Sequence, residues 1–136
     1  MIAAVFDTYV VVSGVLSPDG TPGKLLDAIL DGRCQPVVSD SIMAEYEAVL
    51  CRPKFAFSSS KIHVLLDAIS KRALYAPFSP VPKAHLLPDP DDGIFLAAAM
   101  GLNVPIVTGN LKHFPQKASG HIRILTPAAF LTGIRD

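Results

Sequence analysis

Sulfur ligands are scarce in this sequence. Its two cysteines, Cys34 and Cys51, stand seventeen positions apart, and neither belongs to a CxxC pair or a Cys/His ligand spacing. The four histidines form no ligand motif either. A zinc site is therefore disfavoured, and two reduced thiols are expected. Charge is sparse as well: 18% of the 136 residues are charged, and twelve basic side chains are matched by twelve acidic ones. No strong basic field is available for tight, nonspecific adhesion to nucleic acid. Handling phosphate would need local lysines and arginines, or a bound cation. No apolar run is long enough to cross a bilayer, which argues against a membrane protein. Asp7 interrupts the apolar start, with no basic segment before it, so a signal peptide is not expected and a cytoplasmic location is.

Several phosphate-handling motifs are also missing. No GxGxxG follows the first apolar run, which speaks against a dinucleotide-binding fold. Gly20-Thr21-Pro22-Gly23-Lys24-Leu25 spaces its glycines too closely for a P-loop and has Leu25 where a hydroxyl is needed. A haloacid-dehalogenase-type phosphatase wants a second aspartate two positions after Asp7, and Tyr9 stands there.

What is present is an alternation of short apolar runs and helical patterns, half of all residues being hydrophobic. Length and composition point to one domain over residues 1–136. Ile2–Phe6 reads as a buried strand ending at Asp7. A helix is expected over Pro22–Gly32, where Leu25, Leu26, Ile29 and Leu30 make one stripe. Pro36–Val38 reads as a second strand, followed by a helix from Ser39 or Asp40 to Leu50, stopped by Pro53. A third helix is capped around Ser58–Ser60 and runs to about Arg72. Leu74–Phe78 reads as a strand, and the prolines at 77, 80, 82 and 88 mark an extended connector. Asp89-Pro90-Asp91-Asp92 opens a helix through Gly101; strands follow at Val104–Val107 and His121–Leu125, and a short helix at Pro127–Leu131. Nearly all-apolar strands separated by helices imply an α/β fold, a three-layer α/β/α sandwich around a mainly parallel sheet. In such sheets, sites form at the carboxyl ends of the strands.

The few acids fall at those ends. Asp7 follows the first strand directly, and a carboxylate behind five apolar residues is costly without a partner or a metal. Asp40 and Glu45 lie on the helix after the second strand. Asp89, Asp91 and Asp92 precede the fourth strand, and Asn110 follows it. Each alone has a plain reading: Asp89 and Asp91 as helix-start residues, Glu45 as a solvated helix position. Gathered on one edge they repel one another, and a hard divalent cation, Mg²⁺ or Mn²⁺, relieves that repulsion.

These residues resemble the PIN-domain family and, within it, the short bacterial and archaeal branch grouped as toxins of toxin–antitoxin pairs. The likeness runs through Val5-Phe6-Asp7-Thr8, Val38-Ser39 to Glu45-Tyr46, Leu50 to Phe55, Asp89 to Ala99, Val107-Thr108-Gly109-Asn110, His113-Phe114-Pro115 and Ile124 to Leu131. The resemblance implies a Mg²⁺- or Mn²⁺-dependent endoribonuclease acting on single-stranded RNA. Asp7, Glu45 and Asp92 would be its catalytic and metal-binding acids, and Asn110 a further oxygen ligand. Thr8, Ser39 and Thr108 would orient those ligands, and Lys24, Arg52, Lys54 and Lys112 would grip RNA. A small antitoxin protein is the implied partner, and a homodimer is compatible with the apolar composition. Two positions depart from the family: Tyr9 stands where an asparagine is usual, and Asn110 where many relatives carry aspartate. Both favour the competing reading, a catalytically weakened binding module for RNA or a protein partner. Of the histidines at 63, 85, 113 and 121, only His113 is placed to reach the rim of the site.

Overall fold

The structure is a computed structural model and describes residues 2–134. Strands β1 (Ala3–Phe6), β2 (Gln35–Val38), β3 (Leu74–Tyr75), β4 (Ile106–Val107) and β5 (Ile124–Leu125) form one parallel sheet in the order β3-β2-β1-β4-β5. Val5 in the central strand pairs with Val37 on one side and Ile106 on the other. The connecting helices are α1 (Thr8–Leu16), α2 (Thr21–Leu30), α3 (Asp40–Leu50), α4 (Ser59–Arg72), α5 (Gly93–Leu102), α6 (Gln116–Ser119) and α7 (Pro127–Gly133). Helices on both faces of a parallel sheet make the expected three-layer α/β/α sandwich. Ala4, Val5, Phe6, Val37, Val38, Ile106 and Val107 are completely or almost completely buried, as a sheet covered on both faces requires.

Local chemistry explains the element boundaries. Ser39 caps α3 by accepting from the Ile42 amide at 3.2 Å, and Ser58 caps α4 by accepting from the Lys61 amide at 3.2 Å. Past the end of α2, Gly32 takes φ +77°, a left-handed turn that suits glycine. The third strand is shorter than the expected Leu74–Phe78. Ala76 still donates to the Val38 carbonyl at 2.8 Å, but Pro77 has no N–H to continue the ladder. The strands expected over Val104–Val107 and His121–Leu125 likewise shorten to their last two residues. Asp89–Asp92 opens a 3-10 turn (Pro90–Asp92) before α5, rather than entering the helix directly.

Helix α1 carries no amphipathic signal. Thr8, Val10, Val11, Val12 and Gly14 are all buried, and three consecutive valines are poor helix formers in isolation. Packing decides its conformation. Gly14 lies so close to α2 that a Cβ there would stand 2.5 Å from Leu26 Cδ1 and 2.9 Å from the Pro22 carbonyl. Tight packing on α2 holds the helix that begins immediately after Asp7.

Candidate functional site

The strand order reverses between β1 and β4. From β1 the chain winds outward through β2 to β3, then returns to the other side of β1 as β4 and β5. In open parallel sheets the crevice at such a reversal is where ligands bind. Asp7 leaves β1 there and Thr108 leaves β4. The Thr108 hydroxyl donates to Asp7 Oδ2 at 2.8 Å, and both residues are buried. Beneath them the Tyr46 hydroxyl, from α3, donates to the Phe6 carbonyl at 2.5 Å. Burial, and then the Asp7 charge, push that phenol's pKa well above its ordinary range, so it remains a donor.

Asp7 and Asp92 are electrostatically coupled. Burial raises the Asp7 pKa, opposed by the Thr108 hydrogen bond, by His113, and by the nearby amides of Thr8 and Tyr9. Asp92 is pushed up to about 6, first by burial, then by the Asp7 and Asp89 charges, with His113 opposing and Asp91 adding a little. Its side chain is only 13% exposed, and Oδ2 is buried without a hydrogen-bond partner among the described residues. His113 Nδ1 approaches that oxygen at 3.9 Å, too far for a hydrogen bond. Two carboxylates from distant segments, Asp7 and Asp92, thus each sit in a largely buried setting that includes His113.

Other expected residues are placed less directly. Glu45 is half-buried on α3, next to Tyr46, but has neither a hydrogen bond nor an ion pair among the described residues. Asp89 caps the 3-10 turn by accepting from the Asp91 amide at 2.9 Å, and Asp91 is exposed. Asn110 Oδ1 accepts from the Lys112 amide at 3.1 Å and so caps the turn Leu111–His113. Thr8 is buried, and its hydroxyl has no hydrogen-bond partner among the described residues. Ser39 caps α3 and lines a separate cavity of about 560 Å³ with Asp40, Pro80 and Ile94. Lys24 lines another cavity with Asp27 and Arg33, whose lining includes neither Asp7 nor Asp92.

Two relationships had no sequence signal. Arg52 Nη1 donates to the Tyr9 hydroxyl at 2.9 Å, so the phenol that replaces the family's usual asparagine is held by an arginine 43 positions away. Tyr9 also helps line a cavity of about 270 Å³ with Asp7, Val10, Pro22, Asn110 and His113. The second is the Tyr46–Phe6 bond.

No three His, Cys, Asp or Glu side chains among the described residues stand together as a ligand set. Two carboxylates and waters are nevertheless a usual complement for Mg²⁺. The donors present fit such an ion: Asp7 and Asp92 are hard oxygen ligands whose mutual repulsion a cation relieves, and Asp92 Oδ2 is buried with no partner. Glu45 is not joined to this pair.

Comparison with known proteins places the chain in a wider set. The sequence profile described as "PIN domain" matches residues 3–112. An uncharacterized protein of Methanocaldococcus jannaschii is 26% identical, over 96% of this chain and 90% of that protein. Among solved structures, VapBC2 from Rickettsia felis, bound to a DNA fragment from its promoter, superposes with a TM-score of 0.63 at 14% identity. That match covers 92% of this chain and 98% of that one. FitAcB from Neisseria gonorrhoeae gives a TM-score of 0.58 at 21% identity, over 94% and 99%. At such identities the two structures speak for the fold.

Proposed function

The chain belongs to the PIN-domain family, and on that footing we propose that it is a Mg²⁺- or Mn²⁺-dependent endoribonuclease that cleaves single-stranded RNA. The observation that carries this reading is buried Asp7, held by Thr108 at the β1/β4 crevice, together with an Asp92 oxygen that is buried near His113 and has no hydrogen-bond partner among the described residues. Asp7 and Asp92 would hold the ion directly. Glu45, which stands apart from them, would act through coordinated water, and Asn110 would offer its remaining lone pair. When bound, the cation supplies Lewis acidity toward a phosphodiester oxygen and lowers the pKa of a coordinated water.

The chain's own groups have separate tasks. Thr108 holds Asp7 in one orientation and favours its charged form. Tyr46 fixes the end of β1 from below. Buried Thr8, the residue after Asp7, has a hydroxyl without a partner among the described residues. His113 faces Asp92 from the opposite segment and partly offsets its charge. Arg52, Lys54 and Lys112 are exposed and available to phosphate. A small antitoxin protein and a homodimeric assembly belong to the same reading and rest on the resemblance in sequence.

The test is cleavage of a labelled single-stranded RNA with Mn²⁺, with EDTA, and by Asp7→Asn and Asp92→Asn variants. Cleavage that needs the metal and both acids is expected. Equal cleavage by the wild type and both variants would trace the activity to a contaminant and remove the proposal. A second reading, a binding module with weakened chemistry, is favoured by the separation of Glu45 from the acid pair and the engagement of Asn110 by Lys112. Calorimetry separates the two, since a decayed site gives no saturable Mn²⁺ isotherm.

A further inference from the structure

The cavity beside Asp7 has one aromatic wall. Tyr9 belongs to the first turn of α1, two positions after Asp7, and Val10, Pro22 and Pro127 line the cavity with it. Ser13, Asn110 and His113, with Asp7 itself, supply its polar groups. A volume of about 270 Å³ with an apolar body and a few polar groups suits a single planar heterocycle.

Tyr9 is 49% exposed, yet it is not a loose surface side chain. Arg52 tethers its hydroxyl at 2.9 Å, and the segment that carries Arg52 is itself anchored. Phe55 and Phe57 stack at 5.6 Å between centroids and pack against the core, and Lys54 Nζ lies 5.1 Å from the Phe55 ring centre. Two exposed cations, Arg52 and Lys54, therefore stand on an ordered arm whose first residue holds the aromatic wall. In a chain with no net charge, this local pairing of cation and ring is what single-stranded nucleic acid requires: a π-face for a base and positive charge for the adjoining phosphates.

Building on the nuclease reading above, we propose that Tyr9 is the stacking wall of a nucleobase subsite next to the acid pair, with Arg52 positioning the ring and, together with Lys54, receiving the neighbouring phosphates. The base adjoining the scissile phosphate enters the cavity against Tyr9, and its edge faces Ser13, Asn110 and His113. The tether lowers the ordering cost of stacking, because the ring is already held when RNA arrives. The subsite accepts any base, since every base has a π-face, and modest preferences come from the three edge groups.

The test is binding of a fluorescent single-stranded hexaribonucleotide, by anisotropy, with Ca²⁺ replacing the catalytic ion. Wild type is compared with Tyr9→Leu, which removes the π-face but keeps apolar bulk, and with Tyr9→Phe, which keeps the ring. An abasic nucleotide is then walked along the RNA. Tyr9→Leu should weaken binding about five- to a hundredfold, the usual range for one stacked base. Tyr9→Phe should lose only the tether, a few-fold effect. At one position, abasic substitution should reproduce the loss in wild type and cost nothing further in Tyr9→Leu. Equal affinity of wild type and Tyr9→Leu, an abasic profile identical in both, or failure of the wild type to bind RNA at all would overturn the subsite. Failure of the nuclease reading is seen separately: a wild type that satisfies the cycle but never cleaves RNA with Mn²⁺ keeps the subsite and loses the enzyme.

Discussion

Thr108 and Asp7 are 101 positions apart in sequence and 2.8 Å apart in space, joined by a hydroxyl that donates to a buried carboxylate across the point where the strand order reverses. This bond ties the ends of β1 and β4 together and lowers the cost of charge on Asp7. Thr108→Val keeps the shape and removes the donor, leaving a buried acceptor unpaired at about 1–3 kcal/mol. Urea denaturation at neutral pH should report that loss, and Mn²⁺ affinity should fall with it. Thr108→Ser should restore most of both; a serine variant as weak as valine would show that the methyl group, not the hydroxyl, matters.

Asp92 sets a stability cost with a defined pH window. Its folded pKa of about 6 lies above the ordinary 3.8, so the folded state holds the proton more tightly than the unfolded chain does. The contribution of Asp92 to stability is therefore greatest below about pH 4, falls as the pH rises to about 6, and stays lower above it. Asp92→Asn removes the penalty. Without metal, the variant should be more stable than wild type by about 3 kcal/mol at pH 7.5 and gain little at pH 4. Thermal melts at the two pH values check this, and equal gains at both would mean that charge is not the cause.

The same cost should be relieved by a cation. Mn²⁺ at a hundredfold excess over its dissociation constant should add about 2.7 kcal/mol to the folded state. The rise in Tm should be larger at pH 7.5 than at pH 5, because binding must displace the proton that Asp92 retains at low pH. Differential scanning fluorimetry with Mn²⁺, Mg²⁺ and EDTA reads this directly. A shift independent of pH would place the ion elsewhere.

Much of this arrangement was legible before any coordinates. Five apolar residues ending in Asp7 gave the strand and its buried acid, and the helix caps at Ser39 and Ser58 fell where serine side chains can satisfy free amides. Asp92 was picked out by resemblance, since Asp89 and Asp91 beside it are equally acidic. The structure separates them by environment: Asp89 caps a turn, Asp91 is exposed, and Asp92 is largely buried. Helix α1 was not legible, because a segment buried on many sides has no periodic stripe to read. Nor were Tyr9–Arg52 and Tyr46–Phe6. Pairs 43 and 40 positions apart leave no local trace, and only tertiary packing brings them together.

Tyr46 supports the strand end that carries Asp7. Its hydroxyl is the buried partner of the Phe6 carbonyl, one residue before Asp7. Tyr46→Phe keeps the ring and strands that carbonyl, which should cost about 1–3 kcal/mol in urea denaturation. RNA cleavage should persist at reduced rate, since the acids themselves remain. A stability equal to wild type would mean that water replaces the phenol at no cost.

Glu45 is the expected acid whose role the geometry constrains most. It lies on the helix that Tyr46 anchors under β1, yet it does not join Asp7 and Asp92 in a ligand set. If it acts through coordinated water, removing its charge weakens a long-range attraction but leaves two direct ligands in place. Glu45→Gln should then reduce Mn²⁺ affinity by less than tenfold, whereas Asp7→Asn and Asp92→Asn should each abolish saturable binding. Cleavage should fall more steeply than affinity in Glu45→Gln, because orienting a coordinated water affects the rate beyond its effect on binding. Calorimetry and single-turnover cleavage on the same three variants decide it. If Glu45→Gln loses Mn²⁺ as completely as the aspartate variants, α3 must move toward the acid pair on metal binding and Glu45 is a direct ligand.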